Sequence, residues 1–368
     1  PFDLCGGYVG FFGYEFKANC GSLNAHRSPQ PDAHFVRADR FVVFDHLTRS
    51  VWLVAVARSE NRLDAEAWLE DLSEAISSFP ALSSVSPLKS ETSLKLKRDR
   101  ATYLSDIQSC FEAFHHGETY EICLTTKMVG EPIPDPLAYY RNLRSINPAP
   151  YSAFLKVGAT AVVCSSPERF LRIEPDGMVE ARPIKGTRAR GANETEDEVI
   201  MKDLAESPKD RAENLMIVDL LRNDLGRVCR VGSVHVPELM VVESYATVHQ
   251  LVSSVRGQLR SGLTAVDCIE SAFPGGSMTG APKMRTMELI DRLEGEARGI
   301  YSGALGYFSA NGAADFNIVI RTAVCAPDGV TVGIGGAIVS LSNPQEEFEE
   351  ILLKGAVLAR ALGAQIES

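Results

Sequence analysis

The chain has 368 residues, of which 45% are hydrophobic and 23% are charged, a composition typical of a globular protein with a large core. Its net charge of −11 has the wrong sign for a nucleic-acid groove or an anionic membrane surface, so we expect neither partner. Its eight cysteines form no C-x-x-C pair, which gives no support for a zinc or redox motif. No apolar run approaches the roughly 18 residues of a membrane span, and no targeting segment is visible. We therefore expect a cytoplasmic protein, or one of the plastid stroma if the source is a plant.

The first part of the chain reads as strands followed by one helix. It begins at Pro1 without a methionine and runs at once into a strand-like segment, from which we infer a piece of a longer polypeptide. Residues 41–45 and 51–57 predict a hairpin around a polar turn, and apolar spacing predicts a helix near 63–77. Residues 77–96 are rich in Ser and Pro and predict a linker.

From Asp99 onward, helical and strand patterns alternate. Residues 99–116 predict an amphipathic helix, and long helices fit 196–224, 281–294 and 344–362. Residues 151–184 predict antiparallel strands, with tight turns at residues 176–177, 311–312 and 328–329. Hairpins outnumber βαβ crossovers, so we favour an α+β protein with large antiparallel sheets. We divide it into an N-terminal portion, 1–90, and a catalytic domain, 97–363.

Two pairs of carboxylates are spaced three residues apart on predicted helices. Asp210 and Glu213 form one pair, and Glu213 shares a face with apolar residues, which predicts that it points inward. Glu347 and Glu350 form the other pair, and Lys354 follows four residues after Glu350. Glu213 and Glu350 could together hold one Mg²⁺, which prefers oxygen ligands. The alternative is a pair of solvated helix faces with ordinary Glu350–Lys354 pairing.

Two glycine-rich segments could bind an anion. The loop at residues 274–283 contains Ser277 and leads into a helix, whose N-terminal N–H groups suit a carboxylate. Residues 333–337 include Gly335 and Gly336, which would let the backbone approach a ligand closely. Neither segment has the glycine spacing of a nucleotide site. A helix cap and a β-bulge are the alternative interpretations.

Three further side chains could carry chemistry. Lys185 lies between Arg182 and Arg188, and both burial and these cations would lower its pKa and free a nucleophilic amine. An exposed loop lysine is the alternative. Glu168 lies between two strands and could act as a general acid, or could instead pair with Arg169 or cap a turn. The lone His249 in an apolar strand is typical of a satisfied core histidine.

Taken together, the ordered motifs resemble those of the chorismate-utilising enzymes. The resemblance extends over nearly the whole chain and is strongest from Asp99 to Lys354. It rests on the segments 166–170, 183–187, 209–220, 274–283, 301–304 and 320–322, on Gly335-Gly336 and on the Glu347-x-x-Glu350-x-x-x-Lys354 spacing. The family includes anthranilate synthase component I, aminodeoxychorismate synthase component I, isochorismate synthase and salicylate synthase. It implies two large facing antiparallel sheets surrounded by helices, with the active site between them.

The same resemblance implies a ligand for most of these residues. It implies Mg²⁺ held by Glu213 and Glu350, with Asp210 and Glu347 in support. The substrate would be chorismate, a dianion, and its two carboxylates would meet the residues Ser277, Gly335, Gly336, Tyr301, Arg321 and Lys354. A guanidinium offers paired donors to a carboxylate, which suits arginine to this role.

Two positions separate the branches of the family. The isochorismate and salicylate branches carry a water-activating lysine where this chain has Glu121, and anthranilate synthases usually have alanine where it has Lys185. The resemblance is therefore to the aminodeoxychorismate branch, whose product feeds either 4-aminobenzoate and folate synthesis or a secondary metabolite. It implies that Lys185 adds to the ring as a covalent nucleophile while Glu168 protonates the leaving hydroxyl.

Some implications of the resemblance stay open. The chain shows no glutaminase motif, so ammonia would come from a glutamine amidotransferase, either a separate subunit or a fused domain. Pro150, Tyr151 and Ser152 resemble the lip of a tryptophan pocket in this family. The alternatives are an anthranilate synthase component I with an atypical lysine, and a binding protein without catalysis. The nucleophile and carboxylate set argues against the latter.

Overall fold

Strands dominate the computed structural model, which describes residues 2–80, 92–245 and 248–367. The strands are, in chain order, β1 (Gly7–Phe12), β2 (Ala33–Ala38), β3 (Arg40–Asp45), β4 (Ser50–Ala55), β5 (Ser93–Leu96), β6 (Glu121–Gly130), β7 (Tyr151–Val157), β8 (Thr160–Ser166), β9 (Arg169–Ile173), β10 (Met178–Arg182), β11 (Ile184–Ala189), β12 (His235–Ser244), β13 (Val248–Gln258), β14 (Gly280–Ala281), β15 (Ala304–Ser309), β16 (Ala314–Ile318), β17 (Thr322–Ala326), β18 (Gly329–Val339) and β19 (Gln365–Glu367). The helices are α1 (Arg62–Ser78), α2 (Arg100–His115), α3 (Pro136–Ile146), α4 (Glu194–Glu206), α5 (Pro208–Gly226), α6 (Ala265–Ala272), α7 (Lys283–Glu294) and α8 (Pro344–Leu362).

The strands build two large sheets and one separate hairpin. The larger sheet runs in the order β11-β13-β10-β9-β16-β15-β1-β2, with β12 also paired to β13. The smaller sheet runs β19-β5-β6-β18-β17-β8-β7, with β14 paired to β6. Their pairings are antiparallel apart from the edge pair β5–β19, which is parallel. The predicted α+β class with large antiparallel sheets is therefore confirmed.

The N-terminal part of the chain joins the larger sheet. β1 pairs with β15, which lies almost 300 residues later in the chain. β3 and β4 form the predicted hairpin, and α1 confirms the predicted helix beside it. The division at residues 90 and 97 remains a prediction. Most of the predicted linker, residues 81–91, lies outside the described residues, and its last part is wrong because residues 93–96 form β5.

Local signals explain where several helices begin and end. Asp99 accepts a hydrogen bond from the Thr102 amide and caps α2, and Asn343 caps α8 ahead of Pro344. A cap of this kind stabilises a helix by about 1 kcal/mol. The predicted single helix at 196–224 is wrong. It is two helices, α4 and α5, because Pro208 lacks an amide hydrogen and begins a new helix that Ser207 caps.

Apolar packing fixes the helices against the sheets. Side chains of α2, α3 and α8 pack with those of β6 and β18 in the core of the smaller sheet. Side chains of α5 and α6 pack with those of β9, β10 and β13 in the core of the larger sheet. Helices α5 and α8 therefore belong to different sheets, and each begins close to the space between them.

Candidate active site

A cavity of about 570 Å³ lies between the two sheets. Every residue that the sequence predicted for catalysis, substrate or metal lines it: Glu168, Lys185, Asp210, Glu213, Ser277, Tyr301, Arg321, Gly335, Gly336, Glu347, Glu350 and Lys354. The larger sheet contributes β11 and β13, the smaller sheet contributes β18, and α5 and α8 contribute the carboxylates. Residues that are distant in the sequence thus meet in one place.

Lys185 is held as an ammonium by the carboxylates around it. Its side chain, 11% exposed, donates from Nζ to Oε1 of Glu121 at 3.2 Å. Burial lowers the pKa of Lys185, but the carboxylates of Glu121 and Glu213 outweigh it, and the pKa lies above its ordinary value. The prediction of a lowered pKa for Lys185 is therefore wrong. The alternative of an exposed loop lysine is also wrong.

The two arginines expected to lower that pKa are engaged elsewhere. Arg182 forms an ion pair with Glu243, and Arg188 donates to Asp210 at 2.9 Å. Each positive charge is therefore offset by a carboxylate of its own. Each arginine is three residues from Lys185 in the chain. Because alternate side chains of a strand point to opposite faces of the sheet, this spacing does not bring a guanidinium to the Lys185 amine.

Glu168 has the properties of an acid that is half protonated near neutral pH. It is 6% exposed, and burial raises the pKa of its carboxyl to about 7, although the Ser277 hydroxyl and the Lys185 ammonium act in the opposite direction. The alternative of pairing with Arg169 is wrong, because that guanidinium binds Glu180 and Asp315. A general acid works best with a pKa near the working pH.

The four carboxylates that α5 and α8 contribute to the cavity each face a cation. Asp210 meets Arg188 as described above, and Glu350 accepts from Lys354 at 2.7 Å. The Lys209 ammonium lies 2.8 Å from Glu347 but 3.9 Å from Glu213. Among the described residues, no three His, Cys, Asp or Glu side chains are grouped closely enough to hold a metal ion.

This donor set nevertheless suits a hard cation. Glu213 is 8% exposed, and burial raises the pKa of its carboxyl to about 7 while Lys185 and Lys209 act against this. A buried carboxylate whose nearest ammonium is 3.9 Å away is poorly compensated, and a divalent cation with oxygen ligands would compensate it. The alternative of solvated helix faces is wrong for Glu213 and Glu347, which are both buried.

Arg321 and Lys354 present positive charge at the cavity wall. Burial lowers the pKa of the Arg321 guanidinium, and Tyr301 and Glu350 act in the opposite direction. In the part of the chain that the structure describes, Arg321 forms no ion pair. Lys354 donates to the carbonyl of Gly335 at 3.0 Å. An anion entering the cavity therefore meets a guanidinium that has no carboxylate partner of its own among these residues.

The glycines of β18 make room for the cavity and for Tyr301. A Cβ atom on Gly333 would lie 2.1 Å from the Tyr301 ring, so only glycine lets the ring cross the strand there. At Gly336 the nearest atom would be 3.4 Å away, at Glu347. The alternative of a β-bulge at Gly335 and Gly336 is wrong, because β18 pairs with β6 in unbroken register.

Ser277 reaches the cavity from a loop and not from a helix N-terminus. It lies in a single 3₁₀ turn, Gly276–Met278, and β14 separates this turn from α7. The prediction that Ser277 and the N–H groups of a helix N-terminus form one anion site is therefore wrong. Lys283, at the start of α7, is bound to Asp224 and to the carbonyls of Ala272 and Pro274, which fixes the end of the loop.

The three residues that resemble a tryptophan pocket do not line the cavity. The Arg169 guanidinium lies 5.2 Å from the centre of the Tyr151 ring, and the Ser152 hydroxyl donates to the carbonyl of Ala149 at 2.9 Å. Binding of tryptophan by Tyr151, Ser152 and Pro150 stays a prediction. His249 is 1% exposed and its ring nitrogens contact Asp197 and Ser244, which confirms a satisfied core histidine.

Sequence reasoning missed two charged residues of the site. Glu121 was used only to exclude a water-activating lysine, yet it is the partner of Lys185. Lys209 lies in the segment 209–220, on which the resemblance rests, and the sequence predicts no role for it, yet it bridges α5 and α8. The signal for Glu121 was a lone carboxylate at the start of a strand that is otherwise mostly apolar.

The chain is similar to proteins of known name along almost its entire length. Residues 2–360 match the model of the family described as chorismate binding enzyme. The chain is 49% identical to the chloroplastic aminodeoxychorismate synthase of Arabidopsis thaliana, with 98% of this chain and 41% of the relative covered. It is 50% identical to the aminodeoxychorismate synthase of Streptomyces griseus, with 98% and 51% covered. The chain thus spans about half the length of these relatives.

A solved structure gives the same result for the fold. Anthranilate synthase component I from Streptococcus pneumoniae TIGR4 superposes with a TM-score of 0.86 at 31% identity, covering 96% of this chain and 81% of that one. None of the helices in the described residues is long and apolar enough to cross a membrane. The family match over most of the chain, together with the cavity between the sheets, leads to one conclusion: the chain belongs to the chorismate binding enzyme family.

Proposed function

We propose that the chain is the chorismate-aminating part of an aminodeoxychorismate synthase. It would convert chorismate and ammonia to 4-amino-4-deoxychorismate and water. The observation that carries the proposal is the position of Lys185 in the cavity, beside Glu168 and facing the carboxylates of α5 and α8. The relatives of that name, at 49% and 50% identity, support it further.

Substrate binding would use both signs of charge in the cavity. Glu213 and Glu350 would hold Mg²⁺, with Asp210 and Glu347 in support. When bound, the ion would supply positive charge to a substrate carboxylate beside the carboxylates of α5 and α8. Arg321 and Tyr301 would bind the second carboxylate, and the Ser277 hydroxyl, Lys354 and the open backbone at Gly335 and Gly336 would orient the first.

The chemistry would divide one displacement between two steps. In the first step, the amine of Lys185 adds to C2 of the ring, the double bonds shift, and the C4 hydroxyl leaves as water after accepting a proton from Glu168. In the second step, ammonia adds at C4, the double bonds shift back, and the C2–N bond to Lys185 breaks. The lysine is regenerated, and the proton that ammonia loses restores the acid.

Ammonia would come from a glutamine amidotransferase, as a separate subunit or as a fused domain. The two aminodeoxychorismate synthases compared above are about twice as long as the chain or longer, which leaves room in them for further domains. The partner, the cytoplasmic or plastid location and the tryptophan pocket at Pro150, Tyr151 and Ser152 remain proposals. So does the division into an N-terminal portion and a catalytic domain.

Product analysis tests the proposal. Chorismate, an ammonium salt and Mg²⁺ are incubated with the chain, and the products are separated and identified by mass spectrometry. We expect 4-amino-4-deoxychorismate without release of pyruvate. Anthranilate with equimolar pyruvate would instead identify an anthranilate synthase component I with an atypical lysine. Binding of chorismate with no turnover at any ammonium concentration would contradict both enzymes.

A further inference from the structure

The carboxylate of Glu121 is in hydrogen-bond contact with the Lys185 amine, and the two proposed steps do not use it. Glu121 is the first residue of β6 and is 1% exposed. Its Oε1 atom lies 3.2 Å from Nζ of Lys185. Its other oxygen, Oε2, is buried and has no hydrogen-bond partner among the described residues. A buried carboxylate oxygen without a partner is costly, so its retention calls for an explanation.

The backbone fixes Glu121 in this position. The residue pairs with Ala281 of β14 on one side and with Val339 of β18 on the other. The Thr119 hydroxyl also donates to the Glu121 carbonyl at 3.0 Å. Because strands pair with it on both sides, the backbone of Glu121 is fixed, and with it the direction in which its side chain leaves the sheet. The sheet therefore directs the Glu121 side chain toward Lys185.

The proposed reaction needs a base at this point. An ammonium has no lone pair, so Lys185 must lose a proton before nitrogen can add to the ring. Glu168 must be protonated for its own role and cannot take that proton first. Glu213 faces the proposed cation. Glu121 remains as the carboxylate in hydrogen-bond contact with the nitrogen that must be deprotonated.

We propose that Glu121 is the general base of the lysine nucleophile, which takes a proton from Lys185 as the amine attacks. The N–H bond breaks toward Glu121, the lone pair forms the bond to C2, and the C4 hydroxyl leaves with the proton of Glu168. When ammonia later displaces the lysine, Glu121 returns its proton to the departing amine. No oxidant or further reactant is needed. This inference rests on the proposed function and assigns to it the proton acceptor that it lacks.

The charges around Lys185 are consistent with this role. Glu121 and Cys123 face it from β6, Glu213 from α5 and Glu168 from the turn before β9. Burial lowers the pKa of Lys185 and these groups raise it, with Glu121 first among them, so the free amine is a minor form. A base in contact with the ammonium can convert it to the reactive free amine without exchanging a proton with water.

The test compares adduct formation in the whole chain and in its Glu121→Gln variant. Rapid mixing with chorismate and saturating Mg²⁺ without ammonia, followed by acid quench and intact mass analysis, gives the rate of adduct formation on Lys185 from pH 6 to 8. Glu118→Gln is the control, since Glu118 lies three residues away and pairs with Arg285 outside the cavity. Melting temperature and chorismate affinity are measured for each variant.

We expect the Glu121→Gln variant to be about 10²-fold slower at pH 7, with chorismate affinity retained. The ratio of wild-type to variant rate should fall about tenfold per pH unit, because the variant lysine must lose its proton to water. The effect of Glu168 protonation cancels in this ratio. A ratio that stays constant with pH, whether large or close to one, would mean that Glu121 only positions the lysine and would overturn the inference.

Two further results separate this inference from the proposed function. If the Glu121→Gln chain does not fold, Glu121→Asp replaces it. Its shorter carboxylate should slow adduct formation at least about tenfold, and a rate within about threefold of wild type would refute the base. If wild-type protein forms no adduct at all, the covalent route itself is wrong. If the wild-type chain forms the adduct but the ratio of wild-type to variant rate stays constant with pH, only the role of Glu121 is refuted.

Discussion

Lys209 on α5 and Glu347 on α8 form an ion pair of 2.8 Å that joins the two carboxylate-bearing helices across the cavity. The two helices pack against different sheets, so this contact links the two halves of the site. Glu213 on α5 and Glu350 on α8 line the same cavity. A cation that binds both carboxylates would strengthen the same link.

Removal of either proposed metal carboxylate should weaken Mg²⁺ binding. We expect Glu213→Gln and Glu350→Gln each to lower Mg²⁺ affinity at least about tenfold, measured by calorimetry and by the Mg²⁺ dependence of turnover. The control is Glu349→Gln, which alters an exposed carboxylate on the same helix and should leave the affinity unchanged. Turnover should also stop with a chelator and return with added Mg²⁺. Unchanged Mg²⁺ dependence in both variants would exclude this site.

Loss of the nucleophile should affect turnover and spare binding. We expect Lys185→Ala to reduce turnover by about three orders of magnitude or more, as removal of a covalent nucleophile does in other enzymes. Chorismate affinity should change little, and high ammonia should restore only part of the activity. Lys156→Ala, which removes an exposed lysine on β7, provides the comparison. Full activity in the Lys185 variant would contradict the covalent steps, though not the overall reaction.

The acid role of Glu168 predicts a pH dependence of definite sign. Burial raises its pKa to about 7, so the carboxyl is mainly protonated below pH 7 and mainly ionised above it. Since the proton is needed for the leaving hydroxyl, kcat should fall as pH rises through about 7. Glu168→Gln should lower kcat about 10²- to 10⁴-fold and lose this decline. A decline that persists unchanged in the variant would assign it to another group.

Arg321 should determine affinity for the substrate anion. Charge-assisted hydrogen bonds contribute about 1.5–3 kcal/mol, so Arg321→Met should weaken chorismate binding about 10- to 100-fold. Arg222→Met removes an exposed guanidinium paired with Asp219 and should have no such effect. Binding can be followed by calorimetry with Mg²⁺ present. Equal affinity in wild type and Arg321→Met would show that the guanidinium does not contact the substrate.

Gly333 offers a test of the cavity wall. A methyl group there would lie 2.1 Å from the Tyr301 ring, and overpacking of this kind costs about 1–3 kcal/mol. We expect Gly333→Ala to lower the free energy of unfolding and to weaken chorismate binding as the ring moves. Gly226→Ala, where a methyl group meets open space, should be neutral or stabilising in denaturant unfolding. A Gly333 variant as stable as wild type would mean that Tyr301 is free to move.

The fold class and most site residues could be predicted because each left a local signal. The turns at residues 176–177, 311–312 and 328–329 predicted the hairpins that pair β9 with β10, β15 with β16 and β17 with β18. Apolar spacing on the helices correctly predicted that Glu213 points inward. The break at Pro208 was missed because the apolar pattern continues across it, although proline is itself a signal for a helix start.

The electrostatics of the site could not be predicted, because they depend on contacts between distant segments. The contact of Lys185 with Glu121 joins residues 64 positions apart, and it reverses the pKa shift expected from neighbours in the chain. Lys209 meets Glu347 across 138 positions. Such pairs follow from how the sheets face each other, which local spacing does not encode.

The most direct test of the account is the mass of Lys185 after exposure of the wild-type chain to chorismate and Mg²⁺ without ammonia. Acid quench and peptide mapping should locate a modification on the peptide containing Lys185. We expect its added mass to equal chorismate less one water, and we expect ammonium to discharge it as 4-amino-4-deoxychorismate. An unmodified Lys185 under conditions in which the same preparation makes product would contradict the account.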